Sequence, residues 1–219
     1  MELDPAKMAQ PDRYKLLIGC IVPRPIAFVS TISPDGPPYK LNLAPFSFFN
    51  GVGSNPMTLL FCPANKPDGT EKDSLRNCKP VAEGGTGEFV VNVATEDYER
   101  EVAGAAEPLA YGESEFELTG LQTAPSVVVR PPRVKLSPVC FECRTVQVVR
   151  TNPGGVASGN IVIGEVVHVY VRDDLVNERL HTDPAKLRAI GRMGGIGYVR
   201  TGDGANRYEM PMGRAALKR

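Results

Sequence analysis

Two cysteines three residues apart are the most obvious candidates for metal or thiol chemistry in this sequence. Cys140 and Cys143 have the spacing of a metal-ligand or redox pair. A structural zinc site needs about four ligands, and neither a second close cysteine pair nor a close histidine pair accompanies them. The segment also has the apolar pattern of a β-strand, in which residues separated by an odd number point to opposite faces. We therefore expect two core cysteines, with no metal site and no thiol catalysis.

The two histidines are the next candidates, and the chain has no others. His168 lies in the middle of an apolar segment, which favours a core or barrel-lining residue over a catalyst. His181 precedes a predicted helix and is expected to be exposed. No serine or cysteine nucleophile motif accompanies either histidine, so we assign no catalytic residue.

A glycine-rich segment, residues 191–197, resembles part of a dinucleotide-binding fingerprint. That fingerprint requires a strand, a glycine turn, a helix, and an acidic residue about 20 positions later. Here the glycines follow a predicted helix and precede Tyr198, so we reject a Rossmann site. Glycines still allow close backbone approach, and their position beside Arg192 is compatible with the wall of a ligand site.

The elements that must position any site are mostly strands. Apolar runs bounded by glycine, proline and asparagine turns predict them. The predicted strands cover residues 25–33, a hairpin partner that runs to residue 43, and residues 56–62, 88–93, 139–150 and 160–172. Short helices are predicted over residues 12–18, 71–78 and 95–106, and from residue 183. Thr70 is the predicted N-cap of the second helix.

Strands that follow strands without regular helical crossovers predict a mainly β fold, and a barrel in preference to a doubly wound sheet. Gly164 interrupts a long predicted strand, as a bulge or bend in a barrel does. Both faces of residues 161–171 are largely apolar, so we expect this strand to be covered on both sides. Because no segment has a linker composition, residues 1–219 are predicted to form a single domain with three or four short peripheral helices.

Composition and charge exclude some classes of function. Lys and Arg total 25, as do Asp and Glu, and a chain with zero net charge lacks the positive field of a nucleic-acid binder. The longest apolar run is broken by polar residues and is too short to span a bilayer. The acidic N-terminus is no signal peptide, and the five cysteines have no disulfide-framework spacing. We expect a cytoplasmic protein with no nucleic-acid or membrane partner.

The zero net charge conceals two clusters of opposite sign. Residues 83–117 hold ten acidic residues and one arginine, whereas residues 186–219 hold eight basic residues and two acidic ones. These clusters either attract each other, within one chain or between two, or are simply solvated surface.

Seven short motifs, each weak alone, occur in a specific order. They are Arg-Pro-Ile-Ala-Phe-Val-Ser-Thr from residue 24, Asn-Leu-Ala-Pro-Phe-Ser-Phe-Phe from residue 42, Lys-Asp-Ser from residue 72, Glu-Phe-Val-Val-Asn from residue 88, Ser-Glu-Phe from residue 114, Gly-Glu-Val-Val-His-Val from residue 164, and Arg-Met-Gly-Gly from residue 192. Over residues 18–200 this ordered set resembles the flavin reductase-like, FMN-binding split-barrel family, in the longer branch that includes flavoredoxin-type proteins.

The resemblance implies a Greek-key split β-barrel and a homodimer with FMN near the subunit interface. It also implies electron transfer, with NAD(P)H as a candidate donor and free flavin or a protein, such as a partner oxygenase, as acceptor. The Gly-Asp-His element of the shorter nicotinamide-dependent reductases is missing from the sequence. A non-enzymatic FMN-binding electron carrier therefore stands as the alternative, and a structural dimer without cofactor as a third.

The same resemblance implies the residues that hold the cofactor. Lys72 and Ser74, at the start of a predicted helix, offer an ammonium, a hydroxyl and backbone N–H groups to the phosphate. Ser30, Thr31 and Asn42 offer hydroxyl and amide partners to the ribityl chain and the ring edge. Without the resemblance, an ordinary capped surface helix is the favoured interpretation of the segment that holds Lys72 and Ser74.

Backbone groups around Ala44, Ser47 and Phe48, beside a proline bend, are implied to bond the pyrimidine edge and the N5 side of the ring. Arg192 is implied to add positive charge near the ring or the phosphate. The alternative for the segment around Phe48 is a hairpin with a hydrophobic plug, in which the phenylalanines belong to the core.

Overall fold

Strands carry most of the architecture, as the sequence predicts. A computed structural model of the protein describes residues 1–202 and 204–206. The strands are β1 (Arg24–Pro25), β2 (Ala27–Ile32), β3 (Leu41–Phe46), β4 (Phe49–Ser54), β5 (Met57–Phe61), β6 (Glu88–Val93), β7 (Thr123–Ala124), β8 (Arg133–Val134), β9 (Val139–Arg150), β10 (Asn160–Val171), β11 (Ile190–Arg192) and β12 (Tyr198–Arg200). The α-helices are α1 (Gln10–Cys20), α2 (Asp73–Cys78), α3 (Glu99–Gly104), α4 (Glu115–Thr119) and α5 (Pro184–Leu187).

One large antiparallel sheet holds seven of these strands, in the order β3-β2-β6-β9-β10-β5-β4. Several neighbours are not consecutive in the chain, so the connections cross over as they do in Greek-key folds. Strands β1, β11 and β12 form a second, three-stranded sheet. The predicted mainly β class is confirmed, because antiparallel pairing replaces the parallel sheet of a doubly wound fold.

The predicted hairpin of residues 25–43 is the β2–β3 pair, in which Thr31 lies opposite Asn42. Every residue of β2 is buried. One face of the strand packs into a cluster that contains Phe28, and the other into a cluster that contains Phe61. Consecutive residues of β2 therefore enter different buried surroundings.

Strands β9 and β10 form the long pair predicted for residues 139–172. The register shifts at Gly164, so the predicted bulge is confirmed. A Cβ atom at Gly164 would lie 2.4 Å from the Phe89 ring, which explains why the strand needs glycine there. The expectation that residues 161–171 are covered on both faces is wrong for the single chain, because Val169 is 38% exposed.

The helices differ in detail from the prediction. Helix α2 begins at Asp73 with Lys72 as its N-cap residue, not Thr70, because the Thr70 hydroxyl and amide both donate to the Asp68 carboxylate in a turn. The helix predicted over 95–106 is a 3₁₀ turn followed by α3, and α4 lies in a stretch predicted to be loop. The described residues hold five α-helices rather than three or four, and none of them has the length and apolarity needed to cross a membrane.

The opposite charge clusters meet within one chain. Arg188 binds Glu96 at 3.1 Å and Asp97 at 2.8 Å, and Arg200 binds Glu99 at 2.9 Å. These pairs anchor the segment around β11 and β12 against the start of α3. Basic residues of the cluster beyond residue 206 lie outside the described residues.

The predicted core location of the two closely spaced cysteines is confirmed. Cys140 and Cys143 are fully buried and belong to different hydrophobic clusters, on opposite faces of β9. Burial raises the pKa of the Cys140 thiol to about 11 and raises that of Cys143 further. His181 is exposed, as predicted, and His168 Nδ1 lies 3.4 Å from the buried Glu142 carboxylate.

Candidate functional site

A cavity of about 620 Å³ opens beside strand β3, which is an edge of the large sheet. Its walls come from α1, β3, the start of α2, and the loops at residues 64–68 and 105–109. Four of the nine residues selected from the sequence line it, and these are Asn42, Ala44, Lys72 and Ser74. The fold therefore brings two distant motifs, one on β3 and one at α2, to the same cavity.

Lys72 is a cation of this cavity that lacks an acidic partner. Within the described ranges it forms no ion pair, whereas its neighbour Lys66 binds Asp73 at 2.7 Å. The residue is exposed to solvent while it also lines the cavity. Desolvation of the ammonium, together with the charge of Lys66, lowers the pKa of Lys72. A bound anion would favour the charged form and so oppose this shift.

A chain of side-chain hydrogen bonds forms the polar wall of the cavity. Asn42 Nδ2 donates to Ser74 Oγ at 2.9 Å and to Thr31 Oγ1 at 3.2 Å. Asn77 Nδ2 donates to the same Thr31 oxygen at 3.1 Å. All four residues are buried, and Asn42 and Ser74 also line the cavity. Asn42 thus connects the predicted site residues Thr31 and Ser74, and the same cluster contains Asn77, which sequence reasoning missed.

Glu115 is a second residue that sequence reasoning missed as a site residue, although its motif was noted. Its side chain lines the cavity from α4, and Oε2 accepts the Leu43 N–H at 2.8 Å. That N–H belongs to an edge strand, so no neighbouring strand is available to satisfy it. Burial raises the pKa of the Glu115 carboxyl group. The signal in the sequence was an acidic residue directly before a core phenylalanine.

Ser30 lies away from the cavity. Its hydroxyl donates to the Pro132 carbonyl, and its oxygen lies 3.4 Å from Asn92 Nδ2. Adjacent residues of a strand point to opposite faces, so Ser30 and Thr31 cannot share one set of partners. A contact between the Ser30 side chain and a ligand stays a prediction.

Ser47 and Phe48 lie at the turn between β3 and β4, outside the residues that line the cavity. Ser47 Oγ accepts a hydrogen bond from Arg24 Nε at 3.2 Å, and the Phe48 carbonyl accepts the Cys62 N–H at 2.8 Å. The Ser47 N–H has no such protein partner among the described contacts. Roles for these two residues in ligand binding stay predictions.

Arg24 is a buried cation that sequence reasoning did not select. It donates to the carbonyl oxygens of Ile18, Ile21 and Met193, besides Ser47. Burial and the nearby Arg192 lower its pKa. Arg24 therefore ties the end of α1, which carries a wall of the cavity, to the glycine-rich segment and to the β3–β4 turn.

Arg192 lies on β11, and the glycine-rich segment is the connection between β11 and β12. Its guanidinium lies 4.5 Å from the centre of the Tyr198 ring and donates to the Gly195 carbonyl at 2.7 Å. The strand–loop–strand arrangement agrees with the rejection of a Rossmann site. Arg192 does not line the cavity of the single chain, so its contact with a ligand stays a prediction.

Comparison with a family model connects this geometry to known proteins. Residues 18–190 match the flavin reductase like domain. The chain belongs to this family. Within the part that the structure describes, no group of three or more His, Cys, Asp or Glu side chains is arranged to hold a metal ion.

Solved structures of similar proteins agree with that assignment for this flavin reductase-like chain. Nitrilotriacetate monooxygenase component B from Bacillus cereus is 31% identical, with a TM-score of 0.85 over 96% of this chain and 98% of that one. The 2-nitrobenzoate 2-nitroreductase of Pseudomonas fluorescens is 26% identical, with a TM-score of 0.81 over 97% and 96%. A split barrel domain protein from Shewanella frigidimarina, 20% identical, has a TM-score of 0.78 over 97% and 100%. The predicted split-barrel fold is confirmed.

Proposed function

We propose that this flavin reductase-like protein binds FMN and transfers electrons from NAD(P)H to free flavin or to a protein acceptor. The observation that carries the proposal is Lys72, a cation without an ion-pair partner among the described residues, beside the Ser74 hydroxyl in a cavity of about 620 Å³. A phosphate monoester supplies a negatively charged partner for the Lys72 ammonium and acceptor oxygens to which the Ser74 hydroxyl can donate.

Four residues that line the cavity have chemistry that suits FMN. Lys72 and Ser74 would hold the phosphate, and Asn42 would accept a hydrogen bond from a ribityl hydroxyl. Ala44, on the wall of β3, would lie along the ring. Bound FMN supplies the chemistry of hydride acceptance, so the protein needs to orient the ring and exclude competing reactions rather than provide an acid or a base.

The predicted contributions of Ser30, Thr31, Ser47, Phe48 and Arg192 belong to this proposal. Arg24 supports a role for the last three, because it connects Ser47 to the loop that follows Arg192 and to α1. We place Ser47, Phe48 and Arg192 at the ring end of the ligand, since the phosphate end is assigned to α2.

We also propose a homodimer. Exposed apolar side chains along β9 and β10 support it, since Val146 is 57%, Val149 39% and Val169 38% exposed in the single chain. A second copy that packs against these strands would cover them. FMN near the interface would let a second copy complete the cavity. The single-domain organisation of residues 1–219 stays a prediction.

An oxygenase partner is proposed on the basis of similarity, since one similar protein is a component of a nitrilotriacetate monooxygenase. The cytoplasm is the proposed location, and the free state of all five cysteines agrees with a reducing compartment.

Two measurements test the proposal. The purified protein is titrated with FMN and with riboflavin, and binding is followed by flavin fluorescence. The dissociation constant should be about 10–100-fold smaller for FMN than for riboflavin, which is the effect of a charge-assisted contact. Equal affinities would refute the phosphate site. Anaerobic spectra after NADH or NADPH should then show bleaching of the flavin absorbance band.

The non-enzymatic electron carrier is the second candidate, favoured by the missing Gly-Asp-His element. Bound FMN that neither nicotinamide reduces, but that dithionite reduces, would identify it. Turnover of NADH or NADPH with added FMN would exclude it.

A further inference from the structure

Thr31 is predicted from the family resemblance to contact the cofactor, but its surroundings point to a different role. The residue is fully buried, with a relative exposure of 0%, and it does not line the cavity. Its hydroxyl oxygen accepts hydrogen bonds from two amide groups, those of Asn42 at 3.2 Å and Asn77 at 3.1 Å. A hydroxyl oxygen has two acceptor positions, so both are occupied by protein groups.

These contacts also determine which hydrogen-bonding groups of Asn42 are used by protein partners and which remain for a ligand. A side-chain amide has two N–H donors and one carbonyl oxygen. Asn42 Nδ2 donates to Thr31 Oγ1 and to Ser74 Oγ, which uses both donors. Asn42 can therefore offer the cavity only Oδ1, which is an acceptor.

Ser74 is constrained in the opposite sense. Because its oxygen already accepts a hydrogen bond from Asn42 at 2.9 Å, its hydroxyl hydrogen and one acceptor position remain for a ligand. The cavity then presents an acceptor, Asn42 Oδ1, and a hydroxyl hydrogen that Ser74 can donate. A reversed Asn42 amide would draw that hydrogen toward Oδ1 and turn an N–H toward the cavity instead.

We propose that Thr31 and Asn77 are positioning residues that fix the Asn42 amide and thereby select a ligand with an anionic oxygen at Ser74 and a hydroxyl donor at Asn42. This inference rests on the proposed function, because the phosphate and ribityl groups of FMN are the ligand groups that match. Neither Thr31 nor Asn77 needs to touch the ligand. Their effect passes through Asn42, whose orientation they hold.

The charged and titratable groups around Asn77 come from α2 itself and from the segments at residues 35–40 and 111–113. The Tyr111 hydroxyl lies 3.3 Å from Asp35 Oδ2 and 3.5 Å from Asn77 Oδ1, and the Arg76 guanidinium lies 3.6 Å from the centre of the Tyr111 ring. The small pocket that Asn77 shares with Tyr111 is also lined by Lys40, Asp73 and Glu113. These charges are present in every variant below, so they do not account for differences between variants.

The test compares FMN and riboflavin affinities in two variants at Thr31. Thr31→Val keeps the shape of the side chain and removes the hydroxyl, whereas Thr31→Ser keeps the hydroxyl. We expect Thr31→Val to reduce the FMN preference over riboflavin by about 5–10-fold, the value of one hydrogen bond to a charged ligand site. Thr31→Ser should restore the preference to within about 2-fold of the wild type. Isothermal titration calorimetry measures both affinities.

A double-mutant cycle separates positioning from general destabilisation. In a Ser74→Ala background the donor that Thr31 helps to aim is gone, so Thr31→Val should leave the remaining FMN preference unchanged. Asn77→Leu should behave as Thr31→Val does. Asn92→Leu provides the matched control, because Asn92 is also a buried asparagine with several hydrogen bonds but lies in a different cluster. It should lower the melting temperature without changing the FMN preference.

The outcomes distinguish this inference from the proposed function. A wild-type protein that binds FMN and riboflavin equally would remove the phosphate site itself. A wild-type preference that Thr31→Val and Asn77→Leu both leave intact would overturn the inference alone. An equal effect of Thr31→Val and Thr31→Ser, or a full effect of Thr31→Val in the Ser74→Ala background, would also overturn it. If Asn77→Leu does not fold, the Thr31 pair and its cycle decide the question.

Discussion

Two buried polar clusters flank strand β2, and they differ in whether protein groups satisfy them completely. On one side, Asn92 donates to the Phe28 carbonyl at 2.9 Å and accepts the Val134 N–H at 2.8 Å, while Ser30 donates to the Pro132 carbonyl. On the other side, the cluster of Thr31, Asn42, Ser74 and Asn77 opens onto the cavity. The two clusters begin at consecutive residues of one strand.

The difference separates a structural role from a binding role. In the Asn92 cluster the donors and acceptors meet protein partners, so its hydrogen bonds contribute to the stability of the fold. In the Thr31 cluster a hydroxyl hydrogen, a carbonyl oxygen and the nearby Lys72 ammonium remain for a ligand. A polar cluster that is well ordered yet incomplete indicates a binding site, because burial without partners costs free energy.

The largest expected effect is a loss of stability on disrupting the Asn92 cluster, whose polar groups meet protein partners. Asn92→Leu leaves the Val134 N–H and the Phe28 carbonyl with fewer partners in the core, so we expect the free energy of unfolding to fall by about 2–4 kcal/mol. Urea denaturation followed by circular dichroism measures it. A loss below about 1 kcal/mol would show that the cluster matters less to stability than its hydrogen bonds indicate.

The next largest effect is a loss of FMN affinity on changing Lys72, beside the Thr31 cluster. Lys72→Met keeps the length of the side chain and removes the charge, so FMN should bind about 10–100-fold more weakly. Riboflavin, which lacks the phosphate, should keep its affinity. The melting temperature should stay constant or rise, because the ammonium has no ion-pair partner among the described residues to lose. A matching loss for riboflavin would contradict the assignment.

A pH titration sharpens the same contrast. Desolvation and Lys66 lower the pKa of Lys72, so the ammonium is lost as pH rises at a lower pH than for a lysine with an unperturbed pKa. FMN affinity should therefore fall on the alkaline side while riboflavin affinity stays flat. Lys72→Arg, whose guanidinium stays charged, should remove this alkaline fall. Fluorescence titrations at a series of pH values measure it.

The smallest expected effect on FMN affinity comes from Tyr111, which contacts the Thr31 cluster at Asn77. Tyr111→Phe removes hydrogen bonds of 3.3 Å to Asp35 and 3.5 Å to Asn77 but keeps the ring that stacks on Arg76. Because long hydrogen bonds are weak, FMN affinity should change by less than about 2-fold. A larger change, measured by calorimetry, would extend the positioning network to the surface of the protein.

Particular residues show how far sequence reasoning reached into the site. Lys72, Ser74, Asn42 and Ala44 were selected from short motifs and all line one cavity. Thr31 was selected as a contact of the cofactor, and that role stays a prediction; its full burial beside Asn42 could not be read from an alternating strand pattern. Asn77 and Arg24 were not selected, because their partners lie on other elements and no local motif records those contacts.

Local sequence patterns are enough to predict the mainly β class, the long strand pair with its bulge at Gly164, and the order of motifs that identifies the family. These patterns are apolar periodicity, turn residues, and a glycine where a side chain would meet Phe89. Which polar residues face the cavity depends on the tertiary structure. Ser30 and Thr31 are adjacent and chemically alike, yet the crossover order of the sheet encloses one with Asn92 and joins the other to Asn42 and α2. Side-chain partners across a sheet are set by register and packing, which no short stretch of sequence contains.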